Sequence, residues 1–306
     1  CAPRRQLGPG RVTLEAMQAL ARHIAATLDS RFDAVTELPA GRTRRALRID
    51  TGHGPLFVKL LPADRAAVFA AEADGLTLLA QTGTFRIPAI RSQGSNDAYA
   101  WLALEWLDLQ PVRDADDGRR FGDALAALHA VRGPHYGLNR DNWLGDSLQE
   151  NGSSESWPLF FARKRLLPQL ATAVEGGLRG SLVSNVQGIV ERIGALFLDY
   201  RPAASLLHGD LWHGNAGVDG NGRPTVFDPA VHYGDREADF ALAEMFGGFP
   251  TAMYAAYLQR SPLHPNAPSR RALYRLYHLL NHYNLHGISY LRETERTAAR
   301  LLSELT

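Results

Sequence analysis

One short segment constrains this chain more than any other, because it places carboxylate and amide side chains at fixed intervals between apolar runs. Asp210 precedes Asn215 by five positions and Asp228 by eighteen. The five-residue interval is that of the H-R-D-x-x-x-x-N motif of catalytic loops. In such loops one carboxylate orients a hydroxyl group, while an amide and a second carboxylate hold Mg²⁺. The segment therefore predicts a site for phosphoryl transfer.

The residue types suit distinct roles in that chemistry. We expect Asp210 to act as the general base and Asn215 and Asp228 to supply the oxygen ligands that Mg²⁺ prefers. An isolated Gly-Asp is more often a turn that satisfies its own backbone, but the two companion residues argue against that alternative. A transition-metal cluster of His208, Asp210 and His213 is a second alternative. It lacks a helical H-x-x-x-H pair and is interrupted by glycines, which argues against it.

Two aromatic residues lie two and three positions after the candidate base. These residues, Trp212 and His213, are expected to line the substrate pocket. A purely structural place for His213 beside the catalytic loop is the alternative. His208 is expected to orient the loop.

Lysine is rare in this chain, so a retained lysine invites a specific explanation, although chance is preferred for Lys164 within the basic run Arg163–Arg165. The 33 basic residues include only Lys59 and Lys164. Lys59 ends the apolar run Leu56–Lys59, as the lysine of Val-Ala-Ile-Lys does in kinases, and we expect it to reach nucleotide phosphates. Glu72 on the following helix is expected to pair with it; an exposed helix carboxylate is the alternative.

Further nucleotide contacts are expected at two backbone positions. Gly41 and Thr43 lie in a turn between the first two strands and would cover the phosphates with backbone N–H groups and a hydroxyl. That turn contains one glycine and no G-x-G-x-x-G motif. Glu105 and Leu107 lie where the strand run ends, so their backbone is expected to hydrogen-bond an adenine edge. A plain half-buried strand is the alternative for this segment.

Length and composition predict a two-lobed globular protein that acts on a small molecule. The 306 residues exceed the size at which a single core usually stops growing, and a net charge of +1 gives no field suited to nucleic acid. We expect no membrane span and no signal peptide, so the cytoplasm is the expected compartment. Cys1, the only cysteine, excludes an internal disulfide and suggests a trimmed terminus, with a lipid-anchored cysteine as the alternative. The oligomeric state is not indicated.

Apolar periodicity predicts a sheet-rich N-terminal lobe over residues 1–107. A helix at 14–28 precedes short alternating runs between 34 and 60, which suit an antiparallel meander. A helix at 65–80 follows, and then strands are predicted at 87–90 and 99–106.

Helical patterns dominate the predicted C-terminal lobe over residues 108–306, which gives an α+β fold. The only strands predicted there are 205–207, 216–218 and 225–227, which bracket the opening segment. Residues 139–156 are polar and aperiodic, and we expect a functional or disordered loop.

Two groups of segments carry a resemblance to known proteins. Leu207–Asn215 and Phe227–Pro229 resemble the aminoglycoside-phosphotransferase-like branch of the protein-kinase fold. A second group is spread along the chain: Tyr136-Gly137, Asp141–Gly145, Gln149-x-Asn151, Trp157, Phe161–Gln169, His232–Asp239 and Phe246–Gly248. This second group resembles a narrower family within that branch, the fructosamine kinase or ketosamine-3-kinase family.

The resemblance implies a protein-kinase-like bilobal fold with ATP and Mg²⁺ as cofactors. It implies that Asp210 activates the C3 hydroxyl of a ketosamine, that Asp239 braces the catalytic loop, and that the assigned metal and nucleotide residues keep their roles. The acceptor would be a fructosamine, ribulosamine or erythrulosamine, free or protein-bound, and the physiological role would be protein deglycation.

Two other functions remain open. A kinase of the same branch could act on an aminoglycoside, choline or another alcohol, although the family-like segment 149–169 argues against this. A nucleotide-binding module without turnover is the alternative of another class, and the retained Lys59, Asp210, Asn215 and Asp228 argue against it.

Overall fold

The predicted antiparallel meander forms the centre of the N-terminal unit, which comprises Cys1–Leu76 and Ile87–Asp108. The structure, a computed structural model, describes residues 14–39 and 45–306 of the chain. In these residues the unit contains a five-stranded antiparallel sheet in the order β1-β2-β3-β5-β4. Its elements are α1 Leu14–Ala26, β1 Phe32–Leu38, β2 Arg45–Thr51, β3 Gly54–Pro62, α2 Ala66–Gln81, β4 Ile90–Ser95 and β5 Tyr99–Glu105, and α2 ends in the second unit.

One face of this sheet is covered by α1. The helix contributes Met17, Leu20 and Ile24, which pack with alternate residues of the strands such as Leu47 and Val58. The alternation follows from strand geometry, since successive side chains point to opposite faces. The apolar residues that predicted the meander therefore form the core of this unit.

The C-terminal unit comprises Thr77–Arg86 and Leu109–Thr306 and is mainly helical. Its helices are α3 Ala115–Ala130, α4 Trp157–Phe161, α5 Leu167–Glu175, α6 Ser181–Arg192, α7 Glu237–Phe246, α8 Thr251–Arg260, α9 Ala267–His286 and α10 Leu291–Glu304. Its strands are β6 Tyr136–Leu138, β7 Asn142–Leu144, β8 Ser147–Gln149, β9 Gly152–Ser154, β10 Ser205–Leu207, β11 Ala216–Val218, β12 Pro224–Val226 and β13 His232–Gly234. The predicted α+β architecture is confirmed.

Two local predictions were wrong. Residues 139–156 are not an irregular loop: β7 pairs with β8 as a hairpin, and β9 joins a four-stranded sheet in the order β10-β13-β6-β9. The strand predicted at 87–90 instead begins at Ile90, because Pro88 cannot donate to a ladder. Among the described residues, no helix is both long and apolar enough to cross a membrane.

Two glycines let α3 approach α8 closely. A Cβ on Gly122 would lie 2.2 Å from the Met253 carbonyl oxygen, and one on Gly118 would lie 2.7 Å from the Pro250 ring. At its start, the Asp114 side chain caps α3 by accepting from the Asp117 amide at 2.7 Å. The helix is thereby fixed along its length, and its last turn presents His129 to the interior.

A buried histidine on α9 makes the stability of this unit dependent on pH. His278 is 4% exposed, and its Nδ1 atom finds no hydrogen-bond partner among the described residues. Burial, followed by the nearby His282, lowers the pKa of His278 to about 3. An unfolded imidazole has a pKa near ~6.5, so between these values the unfolded state binds a proton that the native state does not. Acid therefore favours unfolding.

We predict that His278→Phe reduces this loss of stability in acid. Between about pH 7 and about pH 5 the wild type should lose roughly 2 kcal/mol more free energy of unfolding than the variant. Urea denaturation at several pH values measures the difference. His53→Phe, at an exposed position, is the control. Parallel pH profiles for His278→Phe and the wild type would refute the prediction.

Candidate active site

The segment Leu207–Asn215, called the catalytic segment for the role predicted from its sequence, leaves the buried strand β10 and turns at His208. Burial lowers the pKa of His208, so its ring is neutral. Its Nδ1 accepts the Asp210 backbone N–H at 3.3 Å, and its Nε2 therefore donates to the Phe227 carbonyl at 3.0 Å. His208 thus connects the chain around Asp210 to the chain just before Asp228, as an orienting residue would.

The turn requires glycine at position 209. Gly209 has a φ of +81°, and a Cβ there would lie 2.0 Å from the Ala230 carbonyl oxygen. The backbone amides of His208 and Gly209 both point to the Asp239 carboxylate, at 2.7 and 2.8 Å. A charged acceptor makes such hydrogen bonds shorter and stronger than neutral ones.

Asp239 is itself held by a residue that sequence reasoning missed. His129 Nε2 lies 3.2 Å from Asp239 Oδ2, and its Nδ1 hydrogen-bonds to the Tyr257 hydroxyl at 2.8 Å. Burial raises the pKa of Asp239, but the hydrogen bonds from His129 and from the Gly209 amide outweigh this effect and lower the pKa. The carboxylate is therefore ionised. No local motif marks His129, because it lies 110 residues away on α3.

The structure brings the three residues of the opening pattern together. Asn215 Nδ2 donates to Asp210 Oδ2 at 3.0 Å and to the Asp210 carbonyl at 2.9 Å, and it lies 3.5 Å from the Asp228 carbonyl. Since its nitrogen faces Asp210, its Oδ1 is the amide atom left for a metal. Asp228 has a φ of +55°, a left-handed conformation that aspartate tolerates better than most residues.

These oxygen donors fit Mg²⁺ better than a transition metal. Mg²⁺ keeps several waters and takes one or two protein oxygens together with nucleotide phosphates, so a carboxylate and an amide oxygen suffice. In the residues that the structure describes, no group of three or more His, Cys, Asp or Glu side chains is placed to hold a metal. Both nitrogens of His208 are already hydrogen-bonded. The structure therefore does not support the cluster of His208, Asp210 and His213.

An aromatic surface begins two residues after the candidate base. The Trp212 ring lies 5.0 Å from that of His213 and 5.7 Å from that of Phe246, and Phe246 lies 5.1 Å from His282. His213 Nδ1 donates to the Gly247 carbonyl at 3.1 Å. His282 was missed from the sequence, although its spacing from His278 and His286 places all three on one face of α9.

In the N-terminal unit the predicted ion pair is present. Lys59 Nζ lies 2.5 Å from Glu72 Oε1, and the two side chains are 5% and 6% exposed. Lys59 lies within β3 and not at its end, since the strand continues to Pro62. Such a pair costs much desolvation, so its burial favours a functional role over chance.

Four further residues were predicted to contact the nucleotide: Gly41, Thr43, Glu105 and Leu107. Gly41 and Thr43 lie outside the described residues. Glu105 ends β5, and its Oε2 accepts the Ala89 amide at 3.1 Å. Leu107 is half-buried just beyond that strand. Their nucleotide contacts stay a prediction.

The chain has a protein-kinase-like fold. The structure of aminoglycoside phosphotransferase APH(4)-Ia superposes with a TM-score of 0.66 at 13% identity, covering 95% of this chain and 99% of that one, and this shows the fold alone. A Haemophilus somnus structure, provisionally named fructosamine-3-kinase, gives a TM-score of 0.85 at 30% identity, covering 92% and 96%.

Sequence comparison then identifies the family. A probable ketoamine kinase of Vibrio vulnificus is 35% identical over 289 residues, 94% of this chain and 99% of that protein. The model of the fructosamine kinase family matches residues 16–304. The chain belongs to the fructosamine kinase family, as its motifs indicated, and membership of a kinase family implies the use of ATP.

We predict that Lys59 and Glu72 depend on each other for stability. Lys59→Met or Glu72→Leu alone removes the ion pair while leaving one of its two charges buried, and should cost about 3–5 kcal/mol of unfolding free energy. The double variant Lys59→Met with Glu72→Leu should cost much less, because no buried charge remains. Urea denaturation of the three variants measures this coupling, and additive losses would contradict it.

Proposed function

We propose that this protein transfers the γ-phosphoryl group of ATP to the C3 hydroxyl of a ketosamine. The observation that carries the proposal is the convergence of Asp210, Asn215 and the Asp228 backbone within hydrogen-bond distance, at the spacing of a kinase catalytic loop. The names of the relatives, ketoamine kinase and fructosamine-3-kinase, supply the acceptor class.

Asp210 is the proposed general base. Its backbone is fixed by His208, and its carboxylate is oriented by the Asn215 amide at 3.0 Å. A carboxylate held in this way can accept the proton of the attacking hydroxyl as the oxygen approaches phosphorus. Since phosphoryl transfer needs mainly positioning and charge neutralisation, no covalent intermediate is required.

Asn215 Oδ1 and the Asp228 carboxylate are the proposed Mg²⁺ ligands. When bound, the ion neutralises charge on the β- and γ-phosphates. Lys59, oriented by Glu72, is proposed to contact the nucleotide phosphates. Gly41, Thr43 and the backbone of Glu105 and Leu107 are the further nucleotide positions carried over from the sequence.

The aromatic surface is the proposed wall of the acceptor pocket. Trp212 and His213 follow Asp210, and Phe246 and His282 continue the same run of ring contacts. Rings of this kind can pack against the carbon face of a sugar, and the faces of aromatic rings attract a protonated amine. A ketosamine carries both features. Phosphorylation at C3 would destabilise the adduct and release the amine, which is the basis of a role in deglycation.

A panel of acceptors tests the proposed reaction. ADP formation is measured with ATP and Mg²⁺ and, in turn, a fructosamine, a ribulosamine, an erythrulosamine, an aminoglycoside and choline. We expect turnover with at least one ketosamine, with ³¹P-coupled NMR placing the phosphate on C3. Turnover confined to the aminoglycoside or choline, or ATP binding without turnover, would overturn the proposal.

We predict that Asp210→Asn lowers kcat by at least about 10²–10⁴-fold, the usual contribution of a general base. ATP binding, measured by calorimetry, should remain close to that of the wild type, because Asp210 is assigned to the acceptor and not to the nucleotide. Asp116→Asn, an exposed position on α3, is the matched control and should keep full activity. Undiminished turnover in Asp210→Asn would remove the base from the mechanism.

A further inference from the structure

A buried polar hairpin contacts the chain immediately after the proposed metal ligand Asp228. The hairpin consists of β7 and β8, and its Asn142 and Gln149 side chains are 4% and 2% exposed. Buried amides of this kind must find hydrogen-bond partners, since an unpaired one costs the full desolvation of the group. Their partners lie at Ala230 and Val231.

The contacts are direct. Asn142 Nδ2 donates to the Val231 carbonyl at 2.7 Å. Gln149 Nε2 donates to Asn142 Oδ1 at 2.8 Å and to the Ala230 carbonyl at 3.3 Å. Two consecutive carbonyls are thus held by two side chains that also hold each other.

A second layer fixes the orientation of these amides. The Tyr277 hydroxyl on α9 donates to Gln149 Oε1 at 2.9 Å, which directs the Gln149 nitrogen towards Ala230. Asn151 Nδ2 lies 3.3 Å from Asn142 Oδ1, and Arg165 Nη2 donates to Asn151 Oδ1 at 2.7 Å. The Gln149 network consists of five side chains joined by these hydrogen bonds: Asn142, Gln149, Asn151, Arg165 and Tyr277.

Arg165 lies in an irregular helical turn, and its side chain is buried. Residues Ala162–Leu166 form a π-helical turn between α4 and α5, and such turns occur often at functional sites. Pro168 has no N–H to donate to the Lys164 carbonyl, and Arg165 Nη1 donates to that carbonyl instead, at 2.9 Å. Burial lowers the pKa of Arg165 to about 10, so the guanidinium is charged at neutral pH and its hydrogen bonds are strong.

The segment that this network holds also touches the catalytic segment. The Ala230 amide donates to the His208 carbonyl at 2.9 Å, and the Ala230 carbonyl faces Gly209 so closely that no Cβ fits there. Asp228 lies two residues before Ala230 and has the left-handed φ of +55°. A conformation that few residues adopt persists only where the surroundings fix it. The network supplies that constraint on the C-terminal side of Asp228.

We propose that Gln149 and Asn142 are positioning residues that set the direction of the Asp228 carboxylate by fixing the carbonyls of Ala230 and Val231, with Tyr277, Asn151 and Arg165 orienting them. This rests on the proposed function, in which Asp228 is a Mg²⁺ ligand. Outer groups of this kind commonly govern metal affinity as strongly as they govern turnover.

Gln149→Leu tests the proposal, since it keeps the approximate volume and removes every hydrogen bond of the side chain. We expect the Mg²⁺ concentration for half-maximal turnover to rise on the order of 10–100-fold, with an unchanged KM for the ketosamine. Independently of activity, hydrogen exchange of the Ala230 amide should be faster by on the order of tenfold, while helices α7 and α9 exchange as in the wild type. Leu148→Ala, half-exposed on the same strand, is the matched control and should change neither readout.

Three results would overturn the proposal: an unchanged Mg²⁺ requirement in the folded variant, unchanged exchange at Ala230, or exchange that rises equally throughout the unit. If Gln149→Leu does not fold, Tyr277→Phe is the second test, because it removes one hydroxyl only. It should raise both the Mg²⁺ requirement and the exchange rate of the Ala230 amide. If neither changes in Tyr277→Phe, the proposal is overturned. Asp228→Ala separates this inference from the proposed function. Full turnover in Asp228→Ala removes the metal assignment, whereas loss there with wild-type behaviour in Gln149→Leu removes only the positioning role.

Discussion

The position of the catalytic segment in the C-terminal unit depends on the hydrogen bonds that the Asp239 carboxylate accepts from its backbone. The carboxylate is 2% exposed and accepts the amides of His208 and Gly209 at 2.7 and 2.8 Å. A buried carboxylate is costly unless it is hydrogen-bonded, and His129 on α3 supplies a further hydrogen bond to it. The two amides lie just before Asp210, so the carboxylate fixes the start of the catalytic segment. The glycine-dependent close approach to Ala230 and the contacts of His208 follow from this anchor.

Around this anchor the chain uses two kinds of support. On one side, His129 and Tyr257 connect Asp239 to helices α3 and α8, whose close packing depends on small residues. On the other side, amide side chains of a short hairpin hold the backbone after Asp228. The Asn142 and Gln149 amides bond to each other as well as to this backbone, which restricts its movement. The chain before the proposed base and the chain after the proposed metal ligand are thus held from different sides, and His208 and Ala230 connect the two.

The local parts of this design could be predicted from the sequence. Asp210, Asn215 and Asp228 form a pattern because they lie in one stretch of chain, and Lys59 was noticeable because lysine is so rare. Strands β2 and β3 followed from their apolar alternation.

Other features depend on contacts between distant residues. Strands β7 to β9 have only three residues each, too few for a periodic pattern, and the amide side chains of Asn142 and Gln149 bond to residues more than 80 positions away. The sequence predicts an ordinary α-helix around Arg165, because the periodicity of its apolar residues does not reveal one extra residue in a single π-helical turn. The sequence around His129 and around His282 does not indicate the contacts that these residues make. The strand predicted at 87–90 from hydrophobicity begins only at Ile90, because Pro88 has no N–H to donate to a neighbouring strand.

The central claim is that the Asp239 carboxylate positions the catalytic segment, and the kcat of Asp239→Asn tests it most directly. Asparagine keeps the shape but offers one oxygen where two amides need acceptors, and its NH₂ group would face the other amide. The account predicts that kcat for the ketosamine falls on the order of 10²-fold, as expected from a small displacement of the base, while ATP binding by the folded variant is retained. A folded Asp239→Asn protein with the kcat of the wild type would contradict it.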